Sequence, residues 1–250
     1  MIIQKSDQEL DKMRRAGRIV GSTIEAVTSA VRPGMTTQDL DVIAERHIRN
    51  HRATPSFKGY RGFPASICAS VNEEVVHGIP GGRKLSEGDV LSLDFGAIWE
   101  GYHADAAVTV FVGEPPSNEA EKLVRVTEEA LEAGVSQVRP GGHLSDISHA
   151  VEQVVTGAGF AVVREYVGHG IGRDLHEDPQ IPNYGPPGRG PLLKPGLVLA
   201  IEPMVNLGDW PTRVLPDGWT VVTADGSLSA HFEHTVAVTD DGHEVLTAPA

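Results

Sequence analysis

The chain has a single cysteine, Cys68, in 250 residues, so neither an intramolecular disulfide nor a thiolate zinc cluster can form. Basic charge is scarce too: 21 Lys and Arg stand against 34 Asp and Glu, with no basic run longer than a pair. That argues against binding nucleic acid by neutralising phosphates. No apolar run approaches the length of a membrane span, and the start, MIIQKSDQEL, lacks a basic-then-apolar signal organisation. A reducing, cytoplasmic setting is therefore expected. Aromatics make up only 5% of the chain, which makes the group Phe57, Tyr60 and Phe63 in one loop conspicuous. Cys68 follows shortly after them and reads as a small buried residue, because no His-Asn arrangement marks it as a nucleophile.

What is present centres on Val90 to Val112, VLSLDFGAIWEGYHADAAVTVFV. β-branched and apolar residues on both sides of Trp99-Glu100-Gly101 predict a β-hairpin. With the turn between Trp99 and Glu100, Asp94 and Asp105 face each other directly. Two carboxylates so placed are destabilising unless something positive lies between them. Neither strand contains Lys or Arg, and a metal ion is the economical answer.

The rest of the chain reads as helices and strands in two similar passes. Ser6-Asp7-Gln8-Glu9 has the form of a capping box, and apolar or small residues from Leu10 to Val31 recur at helical spacing. Thr37 is the expected cap of a second helix, in which His47 is half-buried. Ser117 caps a third helix. VRPG at Val31 recurs at Val138, and Asp39 recurs as Asp146, at an offset of 107. LSEGDVLSLDF from Leu85 aligns with LKPGLVLAIEP from Leu193 at an offset of 108, which puts Asp94 on Glu202. The acid-led strand at Asp105 resembles the one at Glu233. This predicts an internal duplication: one catalytic domain over 1–250, with pseudo-repeats at about 1–112 and 113–250. The fold class is α/β (α+β), with both halves contributing to a central antiparallel sheet.

The second half also carries VGHGIGRDLHEDPQ. Glycines flank His169, which leaves its ring open to close approach, and GHGIG echoes HGIP around His77. The candidate site is Asp94, Asp105, His169, Glu202 and Glu233, with His77 and His176 nearby. Four carboxylates are too many for one divalent ion and suit two, bridged and about 3.5–4 Å apart. Oxygen-rich ligation with one imidazole fits Mn, Fe, Co or Zn.

The motifs FKGY, SVNEEVVHGIP, SLDFGAIWEGYHADAAVT, GHGIG, IEPMVN and DGWTVVTADGSLSAHFEHT together resemble type I methionine aminopeptidases, over essentially the whole chain. The resemblance is to the short bacterial form, with no zinc-finger or linker extension. It implies the pita-bread fold with its pseudo-two-fold, and removal of the N-terminal methionine from nascent proteins and peptides ahead of a small second residue. A hydroxide bridging two metals would attack the first peptide bond. Carried over residue by residue, Asp94 holds one metal, Asp105 and Glu233 bridge both, and His169 and Glu202 hold the other. His77, His176 and Glu202 are the catalytic candidates, Glu202 as a proton shuttle. Phe57, Tyr60, Phe63, Cys68, Leu175 and Trp219 build the methionine pocket together with His77 and His176. Phe63 and Leu175 depart from the residues usual in the family, Tyr in some members and often Phe respectively. A monovalent cation is implied near Asn72 and Ser229. The expected partners are nascent polypeptides and peptides, with a transient ribosome contact, and the expected state is a monomer without membrane association. Proline-specific aminopeptidases share the ligand set, and pita-bread binding modules share the fold. Turnover of Xaa-Pro peptides would favour the first rival, and no hydrolysis with metal supplied would favour the second.

Overall fold

The computed structural model describes residues 2–248. The first half runs α1 (Asp7–Thr28), α2 (Thr37–Asn50), β1 (Thr54–Pro55), β2 (Ile67–Val71), β3 (Glu74–Val76), β4 (Val90–Trp99) and β5 (Tyr102–Phe111). The second half begins in the same order, with α3 (Asn118–Ser136), α4 (Leu144–Gly157), β6 (Ala161–Val162), β7 (Gly168–Gly170) and β8 (Glu177–Ile181). It continues with β9 (Val198–Ile201), β10 (Met204–Asn206), β11 (Thr212–Val214), β12 (Val221–Thr223), β13 (Ser229–His231), β14 (His234–Val238) and β15 (His243–Val245).

Each helix forms where capping and periodicity agree. In α1 the Ser6–Glu9 capping box is present, and Leu10, Met13, Ile19, Val20 and Val27 turn one apolar stripe inward. The cap of α2 is Thr36, one residue earlier than expected. Thr36 has the extended backbone a cap needs, and its hydroxyl accepts from the Asp39 amide. Thr37 instead bonds the backbone of Gly81 on both sides of its hydroxyl. Ser117 caps α3 as expected, accepting from Ala120 N–H. The helices cover sheet faces: α1 and α2 pack their apolar residues with Leu91, Leu93 and Phe95 of β4, and α3 and α4 pack theirs with Leu199, Ile201 and Val236.

Two sheets form the centre. One joins β1, β4 and β2, with β5 also on β4; the other runs β15-β14-β9-β7-β8. Smaller three-stranded sheets, β13-β10-β6 and β11-β12-β3, flank them. The β4–β5 turn is a two-residue one. Glu100 and Gly101 occupy it with φ of 47 and 81, the arrangement that matches strand twist in tight hairpins. The register is therefore two residues off the expectation. Asp94 faces Ala107, and Asp105 faces Gly96. A shift of two preserves the face, so the two aspartates are diagonal neighbours on one side of the sheet instead of direct partners.

The two VRPG segments make matching bonds. Gly34 N–H donates to the Leu85 carbonyl at 2.8 Å, and Gly141 N–H to the Leu193 carbonyl at 2.9 Å. Leu85 N–H returns a bond to Met35, and Leu193 N–H to Gly142. The following helices, α2 and α4, both open on a capping box closed by an aspartate, Asp39 and Asp146.

Candidate metal centre

The site lies where the two central sheets meet. Strand β4 supplies Asp94 and β5 supplies Asp105. His169 is the middle residue of β7, Glu202 stands at the break between β9 and β10, and Glu233 lies between β13 and β14. The two halves are laced together at this point by a short antiparallel contact. Ala107 and Glu233 exchange both backbone bonds, at 2.9 and 3.3 Å. Two residues to one side, the Thr235 hydroxyl accepts from Asp105 N–H and donates to Asp105 C=O, at 2.9 and 2.7 Å. Two residues to the other side, the Thr109 hydroxyl makes the same reciprocal pair with His231, at 2.9 and 2.8 Å. These threonines fix the backbone that aims Asp105 and Glu233.

Ligand-capable atoms of Asp105, His169 and Glu233 all lie within 4.8 Å of one another. Glu202 joins them, its Oε1 at 3.5 Å from His169 Nε2, and Asp94 lies against Asp105. All five side chains line a single cavity. Buried oxygens of Asp94, Asp105 and Glu233 have no hydrogen-bond partner among the described residues, a costly arrangement unless a cation completes it. Without a cation, burial and mutual repulsion raise the proton affinity of these acids. Burial pushes Asp94 up to about 7. Burial, then Glu233 and Asp94, push Asp105 well above the carboxylate range. Burial leads again for Glu233 and Glu202, with neighbouring acids adding to it.

His169 is prepared differently. Its Nδ1 lies 2.9 Å from the Gly170 carbonyl, which only accepts, so Nδ1 carries the proton and Nε2 a lone pair. Burial lowers the ring to about 3 and keeps it neutral, the form that binds metals. The flanking glycines answer to the backbone and not to the ring. A Cβ on Gly170 would lie 2.1 Å from the Asp178 carbonyl, and one on Gly168 2.5 Å from that of Ala200. They let β8 and β9 close on the histidine.

The apolar part of the cavity is formed by Phe57, Tyr60, Phe63, Cys68, Leu175 and Trp219, with His77 and His176 between it and the acids. Phe63 meets Trp219 edge-on at 5.1 Å, and Tyr60 stacks on His176 at 5.4 Å. The Tyr60 hydroxyl is 3.0 Å from His176 Nδ1, and the His176 and His169 rings are 4.2 Å apart. Burial takes His77 down to about 4. Cys68, opposite Asp94 in the β2–β4 ladder, is a thiol that burial pushes well above its usual range, consistent with a small buried residue. Asn72 and Ser229 also come together: Ser229 N–H donates to the Asn72 carbonyl at 2.9 Å.

Sequence reasoning passed over two residues here. Arg61 lines the cavity in a left-handed conformation at φ 48; its place between Tyr60 and Gly62 was the available signal. His231 is buried with Nε2 unpartnered, 3.9 Å from Glu202 Oε2. Its spacing of two from Glu233 in extended chain was a signal that both share a face.

Fold and cluster are those of a pita-bread metallopeptidase. The model of metallopeptidase family M24 matches residues 11–240. Methionine aminopeptidase 1 of Bacillus subtilis is 58% identical over 247 residues, covering 99% of each chain. The crystal structure of methionine aminopeptidase from Thermotoga maritima superposes with a TM-score of 0.97 at 49% identity, covering 99% of this chain and 100% of that one. The chain belongs to family M24 and, within it, to the type I methionine aminopeptidases. Prolidase from Pyrococcus furiosus shares the fold, with a TM-score of 0.80 at 20% identity, and this chain covers 66% of it.

Proposed function

We propose that this single domain, built of two similar halves, removes the N-terminal methionine from nascent polypeptides and peptides whose second residue is small. The observation that carries this is the union, in one cavity, of an acid-and-histidine cluster with an aromatic-walled apolar recess. Asp94, Asp105, His169, Glu202 and Glu233 would hold two divalent ions, Co, Mn, Fe or Zn; the partnerless buried oxygens support this. Bound there, such ions supply a nucleophile at neutral pH and polarise the scissile carbonyl.

The remaining work belongs to side chains. An unbranched thioether suits a recess walled by Phe63 and Trp219, because sulfur gains contacts at ring edges. His176 is anchored through Nδ1 by the Tyr60 hydroxyl, which leaves Nε2 as its free nitrogen to stabilise the developing oxyanion. Glu202, whose proton affinity is raised by burial and by Asp105 and Asp94, carries a proton to the leaving amine. His77, held edge-on by Tyr166 and Trp219, crowds the position of the second residue and favours a small one. A monovalent cation near Asn72 and Ser229, a cytoplasmic setting, a transient ribosome contact and a monomeric state belong to the same reading. Among the described residues no helix is long and apolar enough to cross a membrane.

The test is kcat/KM for Met-Ala, Leu-Ala, Met-Leu and Xaa-Pro peptides with several divalent metals. Preference for Met-Ala is expected, and Trp219→Ala should narrow the Met-over-Leu ratio by about tenfold. An unchanged ratio removes Trp219 from the pocket. Faster turnover of Xaa-Pro peptides overturns the reading.

A further inference from the structure

Lys5 and Glu177 form an ion pair at 2.7 Å with side chains only 3% and 6% exposed. Charged pairs are seldom buried this fully, because desolvation offsets most of their attraction; the question is what this one holds. Glu177 begins β8 at the end of the turn 172–176, which carries Leu175 and His176 into the cavity. Its Oε2 takes the Lys5 ammonium, while Oε1 accepts from the amides of Arg173 at 2.9 Å and Asp174 at 3.3 Å. The carboxylate thus ties both ends of the turn to one point. Gly172 is packed so tightly beneath it that a Cβ would lie 2.5 Å from Glu177 Oε1 and 2.5 Å from Lys5 Cε. Lys5 is fixed in turn, its amide donating to the Gly196 carbonyl at 2.7 Å. A second tie lies just beyond, in the first turn of α1. Glu9 Oε1 accepts from the Tyr102 hydroxyl at 2.6 Å, and the Arg173 guanidinium sits over the Tyr102 ring at 4.8 Å.

We propose that the segment ahead of α1 is a brace for the substrate pocket. Through the buried Lys5–Glu177 pair it sets the turn that presents Leu175 and His176, and Lys5 and Glu177 are positioning residues for catalysis. This rests on the reading of those two residues as substrate contacts. The brace leaves the metal ligands alone, since neither Lys5 nor Glu177 lines the cavity. Loss of Lys5 should therefore loosen the turn and misplace His176 while the ions still bind.

The experiment uses the full chain with Lys5→Met. Arg49→Met serves as control, because Arg49 pairs with Glu45 at 2.8 Å on the surface of α2. Three quantities are read: the rate of tryptic cleavage after Arg173, the Mn²⁺ affinity by calorimetry, and kcat for a Met-Ala peptide. Lys5→Met is expected to speed cleavage after Arg173 roughly tenfold, as local opening there becomes easier. Cleavage after Arg125 in α3, the internal reference, should not change. kcat should fall about tenfold to hundredfold, the scale of a small misplacement at a reacting centre, with Mn²⁺ affinity unchanged. Arg49→Met should match wild type throughout. If the lone buried Glu177 prevents folding, Lys5→Met/Glu177→Gln carries the same test, for it buries no charge yet lacks the tie to the arm. Unchanged cleavage after Arg173 overturns the brace, and so does a fall in Mn²⁺ affinity matching the fall in kcat. Faster cleavage in a protein whose wild type hydrolyses no methionyl peptide keeps the brace and overturns the aminopeptidase reading instead.

Discussion

The two halves of this chain reach the same centre by different routes. The first supplies Asp94 and Asp105 from adjacent strands of one hairpin, eleven residues apart in sequence. The second supplies His169, Glu202 and Glu233 from three separate places, and they meet only because β7, β9 and β14 are neighbours in one sheet. Yet the segments before these residues are built alike, down to the bonds that Gly34 and Gly141 make to Leu85 and Leu193. The lesson is that a shared scaffold need not share its chemistry. The first half places two acids locally. The second adds the imidazole, and each half aligns the other, Thr235 of the second on Asp105 and Thr109 of the first on His231.

The largest expected effect falls on the histidine side. His176→Ala should lower kcat by about 10²–10³, the usual cost of losing an oxyanion donor, with metal affinity kept. If metal affinity falls along with kcat, the residue belongs with the ligands of its half. Next comes the seam between the halves. Thr235→Val leaves the Asp105 amide and carbonyl unpaired, and Mn²⁺ affinity should weaken by about 10–100-fold, as for other residues that orient ligands. Thr235→Ser, which keeps the hydroxyl, should restore it. Equal weakening in both variants would show that the hydroxyl is not what aligns Asp105.

The smallest effect is one of pH on the metal-free protein. Burial raises Asp94 from 3.8 to about 7, so between those values the unfolded chain ionises while the folded one keeps its proton. Stability drawn from this group is therefore lost as pH rises through that window. The buried histidines act the other way. His169 and His231, each lowered to about 3 by burial, cost stability as pH falls below 6.5, where the unfolded chain takes up protons. The difference between Asp94→Asn and wild type reads Asp94 together with the neighbouring acids that its charge raises. In chelator, the variant should gain on wild type from pH 4 to 7 by urea denaturation. A constant difference across that range would mean that Asp94 is ionised without metal.

Legibility followed the same division. The hairpin, the helix caps at Ser6 and Ser117 and the recurrence of VRPG could be read because each is a local signal. The face shared by Asp94 and Asp105 survived a two-residue register error, since strand side chains alternate with period two. The turn itself was misread because Glu100 adopts the left-handed conformation beside Gly101, which local residue type does not announce. Glu202 and Glu233 were singled out by the repeat, and His169 by its flanking glycines and the echo of HGIP; the resemblance then gave them roles. Arg61 and His231 carried local signals, beside Tyr60 and two residues before Glu233, whereas the Lys5–Glu177 pair could not be read because it joins segments 172 residues apart.

The central claim is that both halves converge on one two-metal centre. Anomalous diffraction at the manganese edge from crystals soaked in Mn²⁺ tests it most directly. The account predicts two peaks about 3.5–4 Å apart, one against Asp94, the other against His169 and Glu202, with Asp105 and Glu233 touching both. A single peak at full occupancy, or ions bound away from these five residues, would contradict it.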